Sequence, residues 1–239
     1  MAPVVLGRSI GSVEAIWQDI WQATYWFGRM GVSVFTQSAI DIALWDALGK
    51  HATDVANVAA MRDALGEDIA IMVDVNMGWT VDEAIVVGRR LDKYNIRWLE
   101  EPVVVADFAG YFRIGDALRT RVVGGEGHFT HYDLAPFFDN PKFPTLQPDM
   151  MRGGLTQMRR IATLAHAKGM RIAPHLFHEL MVQVMAAIPN PDVLEYLDCL
   201  DDLWVEPVLP VGNTLTPPDR TGHGLIFKPE ALRGFAIKP

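Results

Sequence analysis

The chain has 239 residues, half of them hydrophobic and 21% charged, with a formal net charge of −8. That length suits one large domain or one domain with part of a second, and the negative charge argues against nucleic acid or an anionic membrane as partner, because the long-range field repels phosphate. A single cysteine, Cys199, excludes an internal disulfide and fits a reducing compartment; the opening MAPVVLGRSIGS lacks a signal-peptide pattern, and a soluble, cytoplasmic protein is expected.

Three helices come first. Residues 12–30 place Ile16, Ile20 and Ala23 at helical spacing with Trp17, Trp21, Tyr25 and Trp26 making a wide aromatic face, and Gly28 and Gly31 are expected to stop the helix. TQSAIDIALWDALGK is apolar on nearly all sides, which predicts burial, and Gly49 is expected to end it. A third helix is predicted from Thr53 to Gly66. No strand pattern separates the second from the third.

From there apolar strands alternate with helical segments. Strands are predicted at 69–74, 96–101, 121–126, 144–149, 171–176 and 193–198. Between them TVDEAIVVGRRLDKY opens with a capping box, Thr80 with Glu83, and LTQMRRIATLAHAKG ends at Gly169. This alternation implies an α/β protein with a parallel sheet and right-handed crossovers, and six such strands suit a TIM-like (β/α) barrel better than an open sheet.

Each predicted strand carries an ionisable group near its C-terminal end: Asp74, Glu100, Glu126, Asp149, His175 and Glu195, at steps of 26, 26, 23, 26 and 20 residues. One acid at a strand end is ordinarily a solvated cap. Six in series place a site at the C-terminal face, where parallel barrels hold their chemistry. Asp74, Glu100 and Glu126 fall on consecutive strands roughly 4.8 Å apart, so their carboxylates converge and repel unless a cation lies between them. All-oxygen ligation favours Mg²⁺, with Mn²⁺ tolerated, and leaves positions open for substrate.

Asp149 and His175 form a second group. An Asp beside a His fixes its tautomer and raises its pKa, the arrangement of a general acid or base near neutrality. Glu195 is expected to donate a hydrogen bond to a substrate oxygen if its surroundings keep it protonated. His178 is read as opening the next helix, and the other five histidines have no comparable context.

VDVN, WLEEP, GGEG, LQPDMMRGG, IAPHLFHE and LEYLD, in that order, resemble the barrel motifs of the enolase superfamily, specifically the mandelate racemase/muconate lactonizing enzyme subgroup, and SAIDIALWDALGK resembles the helix leading from that family's capping domain into its barrel. The resemblance implies Asp74, Glu100 and Glu126 as Mg²⁺ ligands, Asp149 and His175 as an acid/base dyad, Glu195 as a hydrogen-bond donor to an enediolate, and Asn76 near the substrate. It divides the chain into residues 1–36, a helical remnant of the capping domain, and 37–239, the catalytic barrel. Two features of the family are missing. Most of the capping domain has no counterpart, and between Lys50 and His51 the first two barrel strands, with their Lys-x-Lys motif, are absent. Exposed strand edges invite pairing or aggregation, so missing segments are a better reading than a minimal barrel.

The implied activity is Mg²⁺-dependent abstraction of the proton α to a carboxylate, with dehydration of a sugar acid as the leading outcome. Racemisation or epimerisation of a 2-hydroxy acid is the alternative enzyme reading, and a noncatalytic remnant of the fold is the alternative outside catalysis. The expected partners are a small carboxylate substrate and further copies of the chain.

Overall fold

The computed structural model describes residues 2–24, 32–140 and 142–234, with backbone alone for much of 32–52. The expected stops at Gly28 and Gly31, the roles of Tyr25 and Trp26, and the burial of the apolar face of residues 41–48 lie outside the described residues. The chain forms two compact units: Met1–Val103 with Asp116–Thr120, and Val104–Gly115 with Arg121–Pro239. No described helix is long and apolar enough to cross a membrane.

The first unit opens with a short helix, α1 (Ala2–Val5), followed by α2 (Val13–Thr24) and α3 (Val32–Leu65). Helix α2 buries Val13, Ile16 and Ile20, an i, i+3, i+7 stripe, while Ala23 is exposed. Trp17 and Trp21 stack with centroids 5.4 Å apart, and Gln37 Nε2 donates to Trp17 O across to α3.

Helix α3 corrects the expectation of two helices broken at Gly49. It runs 34 residues without interruption. Gly49 does not adopt the positive φ of a helix stop, and Thr53, expected to open a new helix, donates its hydroxyl to Gly49 O at 2.9 Å, an i to i−4 bond made inside a continuing helix. Near its end Arg62, buried, donates to Tyr94 O, Gly66 O, Ile69 O and Asn95 O. One guanidinium thereby satisfies the carbonyls of three separate turns.

Strand β1 (Met72–Asp74) pairs in parallel with β2 (Trp98–Glu100), in the register Met72 to Trp98, Val73 to Leu99 and Asp74 to Glu100. Between them α4 (Val81–Leu91) begins at the predicted capping box: Thr80 Oγ1 accepts from Glu83 N, and Glu83 Oε2 accepts from Thr80 N. Its buried face is Ala84, Val87, Gly88 and Leu91.

The second unit holds most of α5 (Phe108–Ala117), β3 (Arg121–Val123), α6 (Ala135–Phe138), β4 (Thr145–Leu146), α7 (Met150–Ala167), β5 (Arg171–Ile172), α8 (His178–Ala187) and α9 (Pro229–Gly234). A parallel bridge joins Gly124 to Leu146, and β4 pairs in parallel with β5. Phe137 anchors an aromatic core, stacked on Phe143 at 4.1 Å and edge-on to Phe108 and Tyr111. Beside it burial pushes the His128 imidazole below its ordinary range, outweighing the hydrogen bonds and charges that oppose the shift.

The sixth predicted strand, 193–198, is not formed. Backbone pairing occurs just before it: Ile172 N donates to Asn190 O and Asp192 N donates to Ile172 O. These two bonds make a single parallel bridge, Ile172 to Pro191, and the ladder goes no further. Residues 193–197 then run as extended coil into a 3₁₀ turn, Asp198–Leu203. The sequence-predicted α7 ends as expected, with Gly169 at φ 71°.

Two glycines make opposite predictions. A Cβ on Gly153 would lie 2.3 Å from Phe129 O, so Gly153→Ala should cost roughly 1–3 kcal/mol by urea unfolding. Gly49 has open space around it inside α3, and Gly49→Ala should raise stability by about 0.5–1 kcal/mol. A neutral Gly153→Ala would show that the Phe129 loop yields freely.

Candidate active site

The structure divides the predicted site residues between the two units. Asp74 and Glu100 lie together in the first, and Glu126, Asp149, His175 and Glu195 lie together in the second.

In the first unit Asp74 and Glu100 are register partners at the ends of β1 and β2, as their equal offsets from the strand starts imply. Adjacent parallel strands set their Cα atoms about 4.8 Å apart, close enough for both carboxylates to reach one ion. Asp74 Oδ1 accepts from Asn76 N at 2.8 Å, and Glu100 Oε2 accepts from Trp98 Nε1 at 3.0 Å. Both donors are hard oxygens. Oxygen ligands alone suit Mg²⁺, and the pair lacks the nitrogen and sulfur that favour Zn²⁺.

The turns that follow are strained. Asn76 and Met77 have φ of 47° and 61°, and Glu101, fully buried, has φ 40°. Such values are uncommon outside glycine and persist only where the surroundings impose them. Here Met77 N donates to Glu101 O and Trp79 N to Pro102 O, tying the two loops together beyond the strand ends.

In the second unit Asp149 has two tasks. It is the N-cap of α7, with Oδ1 accepting from Met151 N at 2.7 Å, and its Oδ2 lies 3.1 Å from His175 Nδ1. A carboxylate only accepts, so Nδ1 carries the proton of this bond and the tautomer is fixed. The capping bond in turn fixes the carboxylate. Isolated pairing of Asp149 with His175 brings the two backbones into register, and His175 Nε2 faces Glu126 Oε2 at 3.4 Å. Burial alone would lower the His175 pKa; the Asp149 hydrogen bond and the charges of Glu126, Glu195 and Asp149 outweigh it, and the net shift is upward. Its side chain is 21% exposed, accessible to a small molecule yet partly shielded from water.

Glu195 departs from its predicted setting. It is exposed, on coil rather than at a strand end, and its Oε2 accepts from Leu176 N at 2.7 Å. That bond holds Leu176, which with Phe177 has positive φ, 51° and 48°. Consecutive left-handed residues thus follow the candidate base just as they follow Asp74, and neither Asn-Met nor Leu-Phe announces such a turn in sequence.

The profile of the family described as Enolase C-terminal domain-like matches residues 25–231. The chain belongs to this family. Among its enolase-like relatives, a 3,6-anhydro-alpha-L-galactonate cycloisomerase of Streptomyces coelicolor is 29% identical over 291 positions, which take in 98% of this chain and 81% of that protein. An L-talarate/galactarate dehydratase of Salmonella typhimurium is 26% identical, covering 98% and 73%. Of solved structures, a Streptomyces coelicolor racemase with bound magnesium has a TM-score of 0.74 at 28% identity, over 99% of this chain and 82% of that one. A mutant L-talarate/galactarate dehydratase liganded with Mg and L-glucarate has a TM-score of 0.72 at 26% identity, over 97% and 73%. Matches longer than this enolase-like chain show that the relatives carry residues it lacks.

Proposed function

We propose that the chain removes the proton α to the carboxylate of a sugar acid and completes the reaction by dehydration. The observation that carries this reading is His175, held through Nδ1 by Asp149 and presenting Nε2 beside Glu126. Asp74, Glu100 and Glu126 would hold Mg²⁺, which when bound supplies Lewis-acid stabilisation of the negative charge that develops on the substrate carboxylate. The sugar-acid relatives and the magnesium-bound structures support both parts.

His175 in its neutral form takes the α-proton at Nε2, and Asp149 stabilises the imidazolium that results. The same imidazolium then delivers a proton to the β-hydroxyl, which leaves as water; the enol so formed rearranges to a 2-keto-3-deoxy acid. Use of one group for both transfers requires proton and hydroxyl to leave from the same face. Glu195, by fixing Leu176, positions the turn after His175 and is proposed as the hydrogen-bond partner of the enediolate, and Asn76, in the turn after β1, as a polar contact for the substrate. We assign residues 1–36 to a remnant of the cap and 37–239 to the catalytic barrel.

The test is incubation with a panel of sugar acids and Mg²⁺, following 2-keto acid formation and α-deuterium uptake from D₂O. Keto acid should form from at least one member, disappear with EDTA, and fall sharply in Glu126→Gln. Deuterium entering both epimers without keto acid would make the protein a racemase, and no exchange with any acid would leave a noncatalytic remnant.

A further inference from the structure

A second cluster of ligand-type side chains lies in the second unit, built from residues that the reaction does not use. His178 and Glu179 open α8, and Asp201 comes from the 3₁₀ turn Asp198–Leu203. One ring nitrogen of His178 and one oxygen from each carboxylate lie within 4.8 Å of one another. His178 and Glu179 are each 2% exposed. Their remaining contacts are neutral: Trp204 Nε1 donates to Glu179 Oε1 at 3.0 Å, Tyr196 Oη donates to Asp201 Oδ2 at 2.5 Å, and His178 Nε2 sits 3.1 Å from Val208 O.

Charge is the difficulty. Two carboxylates and one imidazole carry a net negative charge even with the imidazole protonated, and among the described contacts of the three side chains none is a lysine or arginine. An uncompensated buried charge is expensive. Furthermore, Asp201 Oδ1 is buried without a hydrogen-bond partner, although it lies 3.7 Å from His178 Nε2. Glu179 Oε2 is likewise 3.7 Å from His178 Nδ1. The carbonyl of Val208 accepts from Nε2, which leaves Nδ1 for an ion; Nδ1 and Glu179 Oε2 at 3.7 Å subtend about 125° at an ion roughly 2.1 Å from each, within the range of zinc coordination, and Asp201 belongs to the same cluster of ligand atoms. A divalent ion with neutral imidazole and two carboxylates is electrically balanced.

We propose that His178, Glu179 and Asp201 bind a divalent first-row transition ion of the Zn²⁺ type, which pins the start of α8 to the Asp198–Leu203 turn. Imidazole with two carboxylates selects such an ion over Mg²⁺. The orphaned Asp201 oxygen becomes a ligand, Tyr196 and Trp204 orient the carboxylates from behind, and the partly exposed turn provides the entry path. Tyr196 is held in that role by its hydrogen bond to Asp201.

The experiment is equilibration of the full chain with buffered Zn²⁺, metal quantification after gel filtration, and zinc X-ray absorption on the wild type. One tightly held equivalent with an N/O shell containing a single imidazole is expected. Asp201→Asn preserves shape and the Tyr196 contact and should weaken zinc at least tenfold; His178→Gln should weaken it further, with circular dichroism verifying the fold of each. Glu126→Gln should retain zinc while losing Mg²⁺ dependence, which separates this site from the proposed catalytic one. No retained zinc in the wild type, an absorption shell without histidine, or retention unchanged in folded Asp201→Asn would overturn the proposal.

Discussion

His175→Asn should lower turnover of the accepted sugar acid by about 10²–10⁴-fold, with KM changed little. His175 Nε2 is the proton carrier in both halves of the proposed reaction, while its Nδ1 is committed to Asp149. Asparagine retains a polar group near Asp149 but cannot take a proton at neutral pH. Asp149→Asn is the informative companion. Its oxygen can still cap α7 through Met151 N, so the fold should survive, but it no longer carries the charge that stabilises the imidazolium. A smaller loss than in His175→Asn is therefore expected, accompanied by a lowered base pKa in the pH profile. If His175→Asn exchanged the α-proton at the wild-type rate in D₂O, the base would lie elsewhere.

The largest effect on stability should come from Arg62→Ala. Arg62 is 6% exposed and donates to four backbone carbonyls belonging to the end of α3, the approach to β1 and the turn before β2. Removing it strands those acceptors and opens a void. Charge-assisted hydrogen bonds contribute about 1.5–3 kcal/mol each but are not additive, so a total loss of roughly 3–5 kcal/mol is expected. Urea unfolding monitored by tryptophan fluorescence would measure it. Arg62→Lys should recover less than half, because an ammonium reaches at most part of the fork's donors. Wild-type stability in Arg62→Ala would mean that water replaces the guanidinium without cost.

Local rules made much of the structure legible. The Thr80–Glu83 capping box and the Gly169 stop involve neighbours in sequence, and both formed where read. The strand ends bearing Asp74 and Glu100, and the isolated bridge of Asp149 with His175 three residues beyond β4 and β5, could be located because an apolar run followed by an acid or imidazole has a visible edge. Glu195 could not. Its segment has the same apolar content, but the pairing falls upstream, where Asn190 and Asp192 bond to Ile172. Gly49 failed as a stop because a glycine marks a helix end only when the following backbone turns left-handed, which tertiary surroundings settle. The His178–Glu179–Asp201 group was invisible for a different reason: it depends on a 3₁₀ turn returning over the start of a helix 20 residues earlier. Arg62 reads in sequence as one more surface charge on an amphipathic helix. Only the carbonyls around it show otherwise.

Helix α3 passes unbroken through 50/51. An α-helix advances about 100° per residue, so each residue added or removed at that seam rotates everything downstream by that angle. Arg62 would keep its partners, all of which lie downstream, but would turn relative to Gln37, which ties the first part of the helix to Trp17, and the two faces would return to phase only when whole turns had accumulated. Inheritance at this seam is therefore quantised. Length variants at this seam should survive in increments of about three or four and, better, seven residues.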